Sequence, residues 1–322
     1  RFRASSHVIV FVRFGDSIDP VLVAKAPRLP GDHARLEKEA AMLVAAHSWR
    51  DGGFDSIPRV VAFEDYGGHR LLIETALVGR AMNPAFVRGN LDTSLETGIK
   101  WLLDFHAATA HQIDNKAQWF AKQVELPVNV LENALDLTPD EKQLLAQTRE
   151  SAETLRNADL PVVVSHNDFS HPNIMLCAGN NLGVVDWELA DADGLPAFDL
   201  FFFLKYIAFA RNDAHTNEKY VAAFREAFFG ETAWAKGYIV EYCQAMKLEV
   251  ALLAPIFVLC WLQYVAGLIT RLADSADACG RLDDKTAAWL RQNRYFLLWQ
   301  EAVQHVEKFQ ITNSKFQKEK AE

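Results

Sequence analysis

The residues of this chain that are best suited to chemistry lie in one short stretch, from His166 to Asp186. Asp168 and Asn173 lie between them. Carboxylate and amide oxygens are the ligands that a hard cation such as Mg²⁺ prefers, and phosphoryl transfer also needs a carboxylate to orient a hydroxyl group and accept its proton. The stretch therefore predicts a phosphoryl-transfer centre. In it Asp168 would be the base, and Asn173 and Asp186 would bind the metal. His166 would brace the loop.

A β-hairpin is expected to position the two metal ligands. Apolar residues of β type at 174–177 and 182–185 flank a turn signal, Ala-Gly-Asn-Asn, at 178–181. If the turn is centred in the middle of that signal, Asn173 and Asp186 lie opposite each other at the open end of the hairpin. Their Cα atoms would then be about 5 Å apart, close enough for the two side chains to share one cation.

The spacing of these residues resembles that of a known family. The pattern H-x-D-x-x-x-x-N, with D-W-E beginning thirteen residues after the Asn, is similar to the catalytic segment of the aminoglycoside phosphotransferase and choline kinase superfamily. The usual H-G-D of that family reads H-N-D here, with Asn167 in place of glycine. The resemblance covers residues 1–212 and implies Asp168 as catalytic base, with Asn173 and Asp186 as magnesium ligands.

The rest of the chain is consistent with the fold that this resemblance implies, an α+β, protein-kinase-like fold of two lobes. Runs of β-branched and aromatic residues predict a small antiparallel sheet, with strands at 7–14, 20–26, 59–64 and 70–74. Beyond Asn90 helical periodicity dominates, and the last predicted helices are at 200–211, 216–229, 231–270, with Pro255 as a candidate break point, and 283–310. We expect a nucleotide-binding N-terminal lobe over 1–76. A large, mainly helical C-terminal lobe over 77–322 would carry the catalytic loop, the hairpin and the acceptor-binding helices.

An ion pair between Lys25 and Glu39 is expected in the N-terminal lobe. Lys25 shares a face of its strand with Val21 and Val23, and a lysine on an apolar face needs a partner. Glu39 lies on the inward face of a helix predicted to begin at Asp32. The family has such a pair in the same order, which implies that Lys25 also holds the α- and β-phosphates of the nucleotide.

The other nucleotide contacts rest on the resemblance. The chain around Glu74 to Ala76 resembles the segment that joins the lobes in the family, so its backbone is expected to bind the purine. No G-x-G-x-x-G loop is present, and Ser5 and Ser6 precede the first strand, where the phosphate loop would lie. Asp199 either braces the catalytic loop, as in relatives, or caps the helix that follows.

Composition restricts the partners. The 322 residues carry a net charge of −9, without the basic face that nucleic acids require. Four scattered cysteines, none in a CxxC pair, are typical of a reducing compartment, and we expect a cytoplasmic protein. Residues 250–270 are uncharged and long enough to span a membrane, but Pro255 and Gln263 favour a buried helix. We therefore expect no membrane partner.

These observations predict an ATP- and Mg²⁺-dependent phosphotransferase, with GTP as a second candidate donor. The acceptor would be a hydroxyl of a small molecule: an amino sugar, another sugar or glycoside, or an amino alcohol. Acidic side chains near the site favour a cationic acceptor, namely Glu188, Asp191 and Asp193. The alternative is a nucleotide-binding pseudokinase with a regulatory or scaffold role, which the glycine-poor phosphate loop favours. The sequence gives no indication of the oligomeric state.

Overall fold

The chain was studied as a computed structural model, which describes residues 7–28, 33–229, 233–274 and 281–309. Two compact units divide it, Arg1–His111 with Val162–Arg211 and Gln112–Pro161 with Asn212–Glu322. The described strands all belong to the first unit, whereas the described elements of the second unit are helical. The division into lobes predicted at residue 76 stays a prediction.

A four-stranded antiparallel sheet forms the N-terminal part of the first unit. Its strands are β1 (His7–Val12), β2 (Leu22–Pro27), β3 (Val60–Tyr66) and β4 (His69–Thr75), in the order β1-β2-β4-β3. Between β2 and β3 runs α1 (Ala34–Ser48), which buries Leu36, Glu39, Ala40 and Leu43 among its inward residues. Together with the mainly helical remainder, this sheet confirms the predicted α+β class and the small antiparallel sheet.

Five short strands complete the first unit. β5 (Gly79–Ala81), β7 (Ile174–Cys177) and β8 (Leu182–Val184) form one sheet, and β6 (Val163–Ser165) pairs with β9 (Asp191–Gly194). A 3₁₀ turn, Ala178–Asn180, joins β7 to β8. The sequence did not predict β5 and β9, because they are three and four residues long and carry no run of β-branched residues.

Three helices of the first unit support the catalytic loop: α2 (Pro84–Gly89), α3 (Leu91–Thr109) and α7 (Phe198–Arg211). All residues of α7 from Phe198 to Ala210 are buried, as expected for a helix that is apolar on every side. Gly98 allows α3 and α7 to approach closely, since a Cβ atom at Gly98 would lie 2.2 Å from the Phe203 ring. This packing fixes the start of α7, where Asp199 lies.

The second unit consists of helices α4 (Lys116–Phe120), α5 (Leu126–Ala134), α6 (Pro139–Glu153), α8 (Asn217–Phe228), α9 (Ala235–Met246), α10 (Leu253–Asp274), α11 (Asp284–Arg291) and α12 (Arg294–Gln304). A π-helical turn, Ala121–Glu125, joins α4 to α5, and 3₁₀ turns occur at Val250–Leu252 and Val306–Phe309. The helix predicted over 231–270 is broken, but before its candidate break point Pro255. The chain leaves α9 at Lys247, which is left-handed with φ of 53°. Pro255 lies in the first turn of α10, where its missing N–H has no intrahelical partner to lose.

One helix among the described residues, Val250–Leu272, is long and apolar enough to cross a membrane by length and composition alone. Within its most apolar window 83% of the residues are buried inside the protein, and the core helix of a globular protein passes the same test. Its polar interruption Gln263 donates hydrogen bonds to the Gln123 backbone oxygen at 2.8 Å and side-chain oxygen at 3.0 Å. The helix is therefore weak evidence for a membrane span.

Candidate active site

The β7-β8 hairpin positions Asn173 but not in the predicted register. Ile174 pairs with Val184, and the connecting turn has three residues, with Gly179 at φ of 69°. Asn173 consequently lies opposite Val185, whose N–H donates to the Asn173 carbonyl at 2.9 Å. The predicted pairing of Asn173 with Asp186 is wrong by one residue, because the turn is centred on Gly179 rather than after it.

Asp186 follows the hairpin and has a left-handed backbone, with φ of 68°. Its side chain therefore does not continue the alternating side-chain directions of β8. Burial raises the pKa of its carboxyl to about 7, and the neighbouring carboxylates reinforce this while Lys25 opposes it; these carboxylates belong to Glu39, Glu188 and Asp168. A buried carboxylate among other carboxylates is stabilised by a bound cation. Asp186 is thus suited to ligate a metal.

Asp168 and Asn173 are in direct contact. The Asn173 side-chain nitrogen donates to the Asp168 carbonyl at 3.1 Å and to its Oδ2 at 3.0 Å. This contact occupies the amide nitrogen and leaves Oδ1 as the atom that could face a cation. Asp168 also raises the pKa of the Asp186 carboxyl by repulsion between the two negative charges. The structure therefore brings all three predicted residues into one neighbourhood. Their catalytic and metal-binding roles stay predictions.

His166 braces the catalytic loop. Its ring is fully buried against the Trp187 indole, with ring centroids 5.0 Å apart. Nε2 lies 3.0 Å from the Val185 carbonyl, and Nδ1 accepts the Asp168 N–H at 3.2 Å. Both contacts are satisfied when the ring carries its proton on Nε2. The ring therefore links the loop that carries Asp168 to the end of β8.

Asp199 lies beneath the same loop. Its Oδ2 accepts the His166 N–H at 2.7 Å, and its Oδ1 accepts the Asn167 N–H at 2.8 Å. The carboxylate is 0% exposed, and His106 Nε2 lies 3.4 Å away. Of the two alternatives that the sequence left open, the structure shows the bracing contact, made from the first turn of α7.

Replacing Asp199 by Ala should destabilise the protein by about 3 kcal/mol. The buried N–H of His166 and the half-buried N–H of Asn167 would lose their charged acceptors. Urea unfolding followed by circular dichroism would measure the loss. Asp92→Ala is the matched control, since Asp92 is an exposed aspartate in the first turn of α3. Equal stability of the two variants would contradict the bracing role.

Asn167 occupies a position that favours glycine. Its φ is 63°, in the left-handed region, where glycine is unstrained and Asn is among the better tolerated side chains. Its side-chain nitrogen donates to the Leu189 carbonyl at 3.0 Å, which fastens the loop to the chain after Asp186. The glycine usual in the resembling family is thus explained by backbone conformation.

This explanation gives a second prediction for the loop. Asn167→Gly keeps the left-handed backbone and should retain activity within a few-fold, whereas Asn167→Ala adds about 1 kcal/mol of strain and loses the same hydrogen bond. Steady-state kinetics and thermal unfolding of both variants would separate the two effects. A glycine variant as impaired as the alanine variant would show that the Leu189 contact matters more than the backbone.

The predicted ion pair between Lys25 and Glu39 is present, and a second carboxylate joins it. Lys25 Nζ lies 2.5 Å from Glu39 Oε1 and 2.9 Å from Glu74 Oε1. Burial would lower the pKa of Lys25, but the two carboxylates raise it above its ordinary value. Glu39 Oε1 also accepts the Trp187 N–H at 3.1 Å. The sequence did not predict the contact of the Glu74 side chain. Glu74 lies two residues after buried Leu72, however, and residues two apart in a strand face the same side.

The expected purine contacts remain predictions. The N–H of Ala76 donates to the Val21 carbonyl at 3.0 Å, so a purine would have to replace this partner. The Glu74 backbone lies in the sheet, paired with both Val23 and Val60. Ser5 and Ser6, the candidate phosphate-loop residues, lie outside the described residues.

Two of the three acidic side chains expected to favour a cationic acceptor have basic side chains as partners within the first unit. Glu188 lies 3.6 Å from Arg35 and 3.7 Å from His7 Nδ1. Asp193 lies 2.9 Å from His111 Nε2. Glu188 and Asp193 are therefore already paired with side chains of the protein itself.

A comparison with protein families decides the assignment. The profile of the phosphotransferase enzyme family (APH) matches residues 6–238, more than two thirds of the chain. The chain belongs to the phosphotransferase enzyme family. As the catalytic segment predicted, this phosphotransferase is a small-molecule kinase. A comparison with curated protein sequences gives no match.

Solved structures show the same fold at low identity. The phosphotransferase is similar to choline kinase LicA from Streptococcus pneumoniae, with 9% identity, a TM-score of 0.53 and 93% of each chain covered. LicA in complex with AMP gives 10% identity and a TM-score of 0.50, covering 96% of this chain and 95% of that one. A thermostable mutant of aminoglycoside phosphotransferase APH(4)-Ia, in complex with ADP and hygromycin B, gives 12% identity, a TM-score of 0.50 and coverage of 91% and 93%. These similarities confirm the predicted kinase-like fold.

Proposed function

We propose that this phosphotransferase moves the γ-phosphate of ATP to a hydroxyl group of a small molecule, with Asp168 as the base and Mg²⁺ held by Asn173 and Asp186. The observation that carries the proposal is the meeting of these residues beside Lys25. The Asn173 side-chain nitrogen donates to Asp168 Oδ2 at 3.0 Å. The pKa of the Asp186 carboxyl is raised by Asp168 and lowered by Lys25, as expected for neighbouring groups. Base, metal ligands and phosphate-binding cation are the parts that phosphoryl transfer requires.

The donor set suits magnesium. Mg²⁺ in kinases is held by one or two carboxylates plus substrate phosphates, and it keeps several waters. The described residues contain no cluster of three or more His, Cys, Asp or Glu that could hold a metal by itself. One carboxylate and one amide oxygen, completed by phosphate oxygens, match that requirement. Bound there, Mg²⁺ would neutralise negative charge on the phosphates.

The remaining chemistry would come from the side chains. Asp168, which is half-buried, accepts the proton of the acceptor hydroxyl as its oxygen bonds to the γ-phosphorus. The bond from that phosphorus to the β,γ-bridging oxygen breaks, and ADP leaves. Lys25 binds the α- and β-phosphates, and Glu39 holds Lys25 and the Trp187 N–H in fixed positions.

The identities of donor and acceptor are the open part of the proposal. ATP is the proposed donor because similar structures hold adenine nucleotides, namely ADP and AMP. GTP stays a prediction from the sequence. Since Glu188 and Asp193 pair with side chains of the protein itself, an uncharged sugar is proposed as an acceptor alongside an amino sugar or an amino alcohol. The cytoplasmic location also stays a prediction.

A screen of hydroxyl compounds with coupled detection of ADP release would test the proposal. Amino sugars, neutral sugars, glycosides and amino alcohols would be assayed separately with ATP and with GTP. The expected result is Mg²⁺-dependent ADP release that requires one acceptor class. Tight nucleotide binding without turnover on any acceptor would instead favour the pseudokinase alternative.

A further inference from the structure

The second carboxylate on Lys25 changes the charge of the nucleotide-binding machinery. Lys25, Glu39 and Glu74 are 5%, 0% and 2% exposed, so solvent does little to screen them. One positive and two negative side chains leave the cluster with one excess negative charge. Glu39 Oε2 and Glu74 Oε2 are buried and accept no hydrogen bond within the described part of the chain. Apart from Lys25, the Trp187 N–H at Glu39 Oε1 is the donor that offsets this excess charge within the described residues, and both Oε2 atoms are left without one.

Sheet geometry fixes Glu74 in this position. In the β2-β4 ladder Val23 pairs with Glu74, and Lys25 pairs with Leu72. Residues that pair directly share a face, so Glu74 lies diagonally across from Lys25 on the inward side of the sheet. The contact is thus built into the register of two central strands and is not the chance position of a mobile surface side chain.

The two carboxylates differ in what else they hold. Glu39 Oε1 accepts both the Lys25 ammonium and the Trp187 N–H, next to Asp186. Glu74 Oε1 instead pairs with the Lys25 ammonium at 2.9 Å. Loss of Glu39 would release the segment after β8, whereas loss of charge at Glu74 would alter only the electrostatic state of Lys25.

We propose that Glu74 is a positioning residue that acts through Lys25 and weakens the binding of nucleotide phosphates by partly neutralising that lysine. The inference rests on the proposed function, in which Lys25 binds the α- and β-phosphates. A phosphate chain that approaches Lys25 meets a cluster whose net charge is negative, and it must compete with Glu74 for the ammonium group. Glu74 thereby sets nucleotide affinity through its charge beside Lys25 and not through contact with the purine.

The test compares ligands with and without phosphates. Calorimetric titration of the full chain with MgATP, MgADP and adenosine would be carried out for wild type, Glu74→Gln and Glu39→Gln. Glutamine at 74 keeps the size and an acceptor oxygen but removes the charge. We expect MgATP and MgADP to bind about tenfold more tightly to Glu74→Gln, with adenosine unchanged. Glu39→Gln should lower kcat, because it replaces the charged acceptor of the Trp187 N–H by a neutral one.

The outcomes are distinct. A Glu74→Gln variant that binds MgATP and adenosine with equally changed affinity would show a packing or purine role and overturn the inference. So would a variant that binds MgATP more weakly. If wild type binds neither MgATP nor adenosine, the proposed function itself fails. A gain for MgATP and MgADP, with adenosine constant, would support the charge mechanism.

Discussion

Replacing Asp168 by Asn is expected to lower kcat by about a thousandfold, with the dissociation constant of MgATP nearly unchanged. Asn cannot accept the proton of the acceptor hydroxyl, yet it fills the same volume and can still accept a hydrogen bond from Asn173. Stopped-time assays of ADP release, together with nucleotide titration, would measure the two quantities. Because the side chain is only half-buried, thermal unfolding should hardly change.

Asp104→Asn serves as the matched control, since Asp104 is an exposed aspartate on α3. It should keep full activity, which separates the effect at Asp168 from a general change of charge. Turnover by the Asp168 variant within tenfold of wild type would remove the base from the mechanism. The enzyme would then act by positioning and electrostatic stabilisation alone.

Asp186→Asn should abolish Mg²⁺-dependent turnover, with at least a thousandfold loss in kcat/KM, and yet leave the metal-free protein as stable as wild type or more stable. Burial and three nearby carboxylates raise the pKa of this carboxyl to about 7, so its charge is unfavourable without a cation. Asn removes that charge. Activity assays and differential scanning fluorimetry, with and without MgATP, would show both effects in one variant.

The contrast between the two readouts is the decisive part of this experiment. Wild type should gain thermal stability on addition of MgATP, whereas Asp186→Asn should gain little. Asp191→Asn is a suitable control, because Asp191 lies five residues further along the chain, in β9. A metal-free Asp186 variant that unfolds earlier than wild type would mean that the carboxylate has a structural partner.

Local patterns were sufficient to predict most of the site. The inward face of a strand and the inward face of a helix, each read from its periodicity, correctly paired Lys25 with Glu39 across fourteen residues of sequence. Loop spacing placed Asp168 beside Asn173. Such relations depend on short-range geometry, which the order of residue types encodes directly.

Other features depended on details that residue types do not determine. The three-residue turn at Gly179 shifted the hairpin by one position, and no pattern distinguishes it from a turn centred one half-residue later. The left-handed backbone of Asp186 then returned its side chain to the site. The bracing by Asp199 required the packing of α7 against α3, a contact between residues a hundred positions apart. Only the folded chain reveals such long-range relations.

The segment 185–189, which follows β8, has a consequence for evolution. Its residues are held one by one from separate parts of the first unit: Val185 by His166 and Asn173, Trp187 by Glu39, Glu188 by Arg35, and Leu189 by Asn167. A change at one of these anchoring residues alters the conformation of the segment, and hence its contacts with the other anchoring residues. Among homologous sequences, these positions should therefore vary as a correlated set, and grafting the D-W-E tripeptide into a relative should fail unless its anchors are transferred with it.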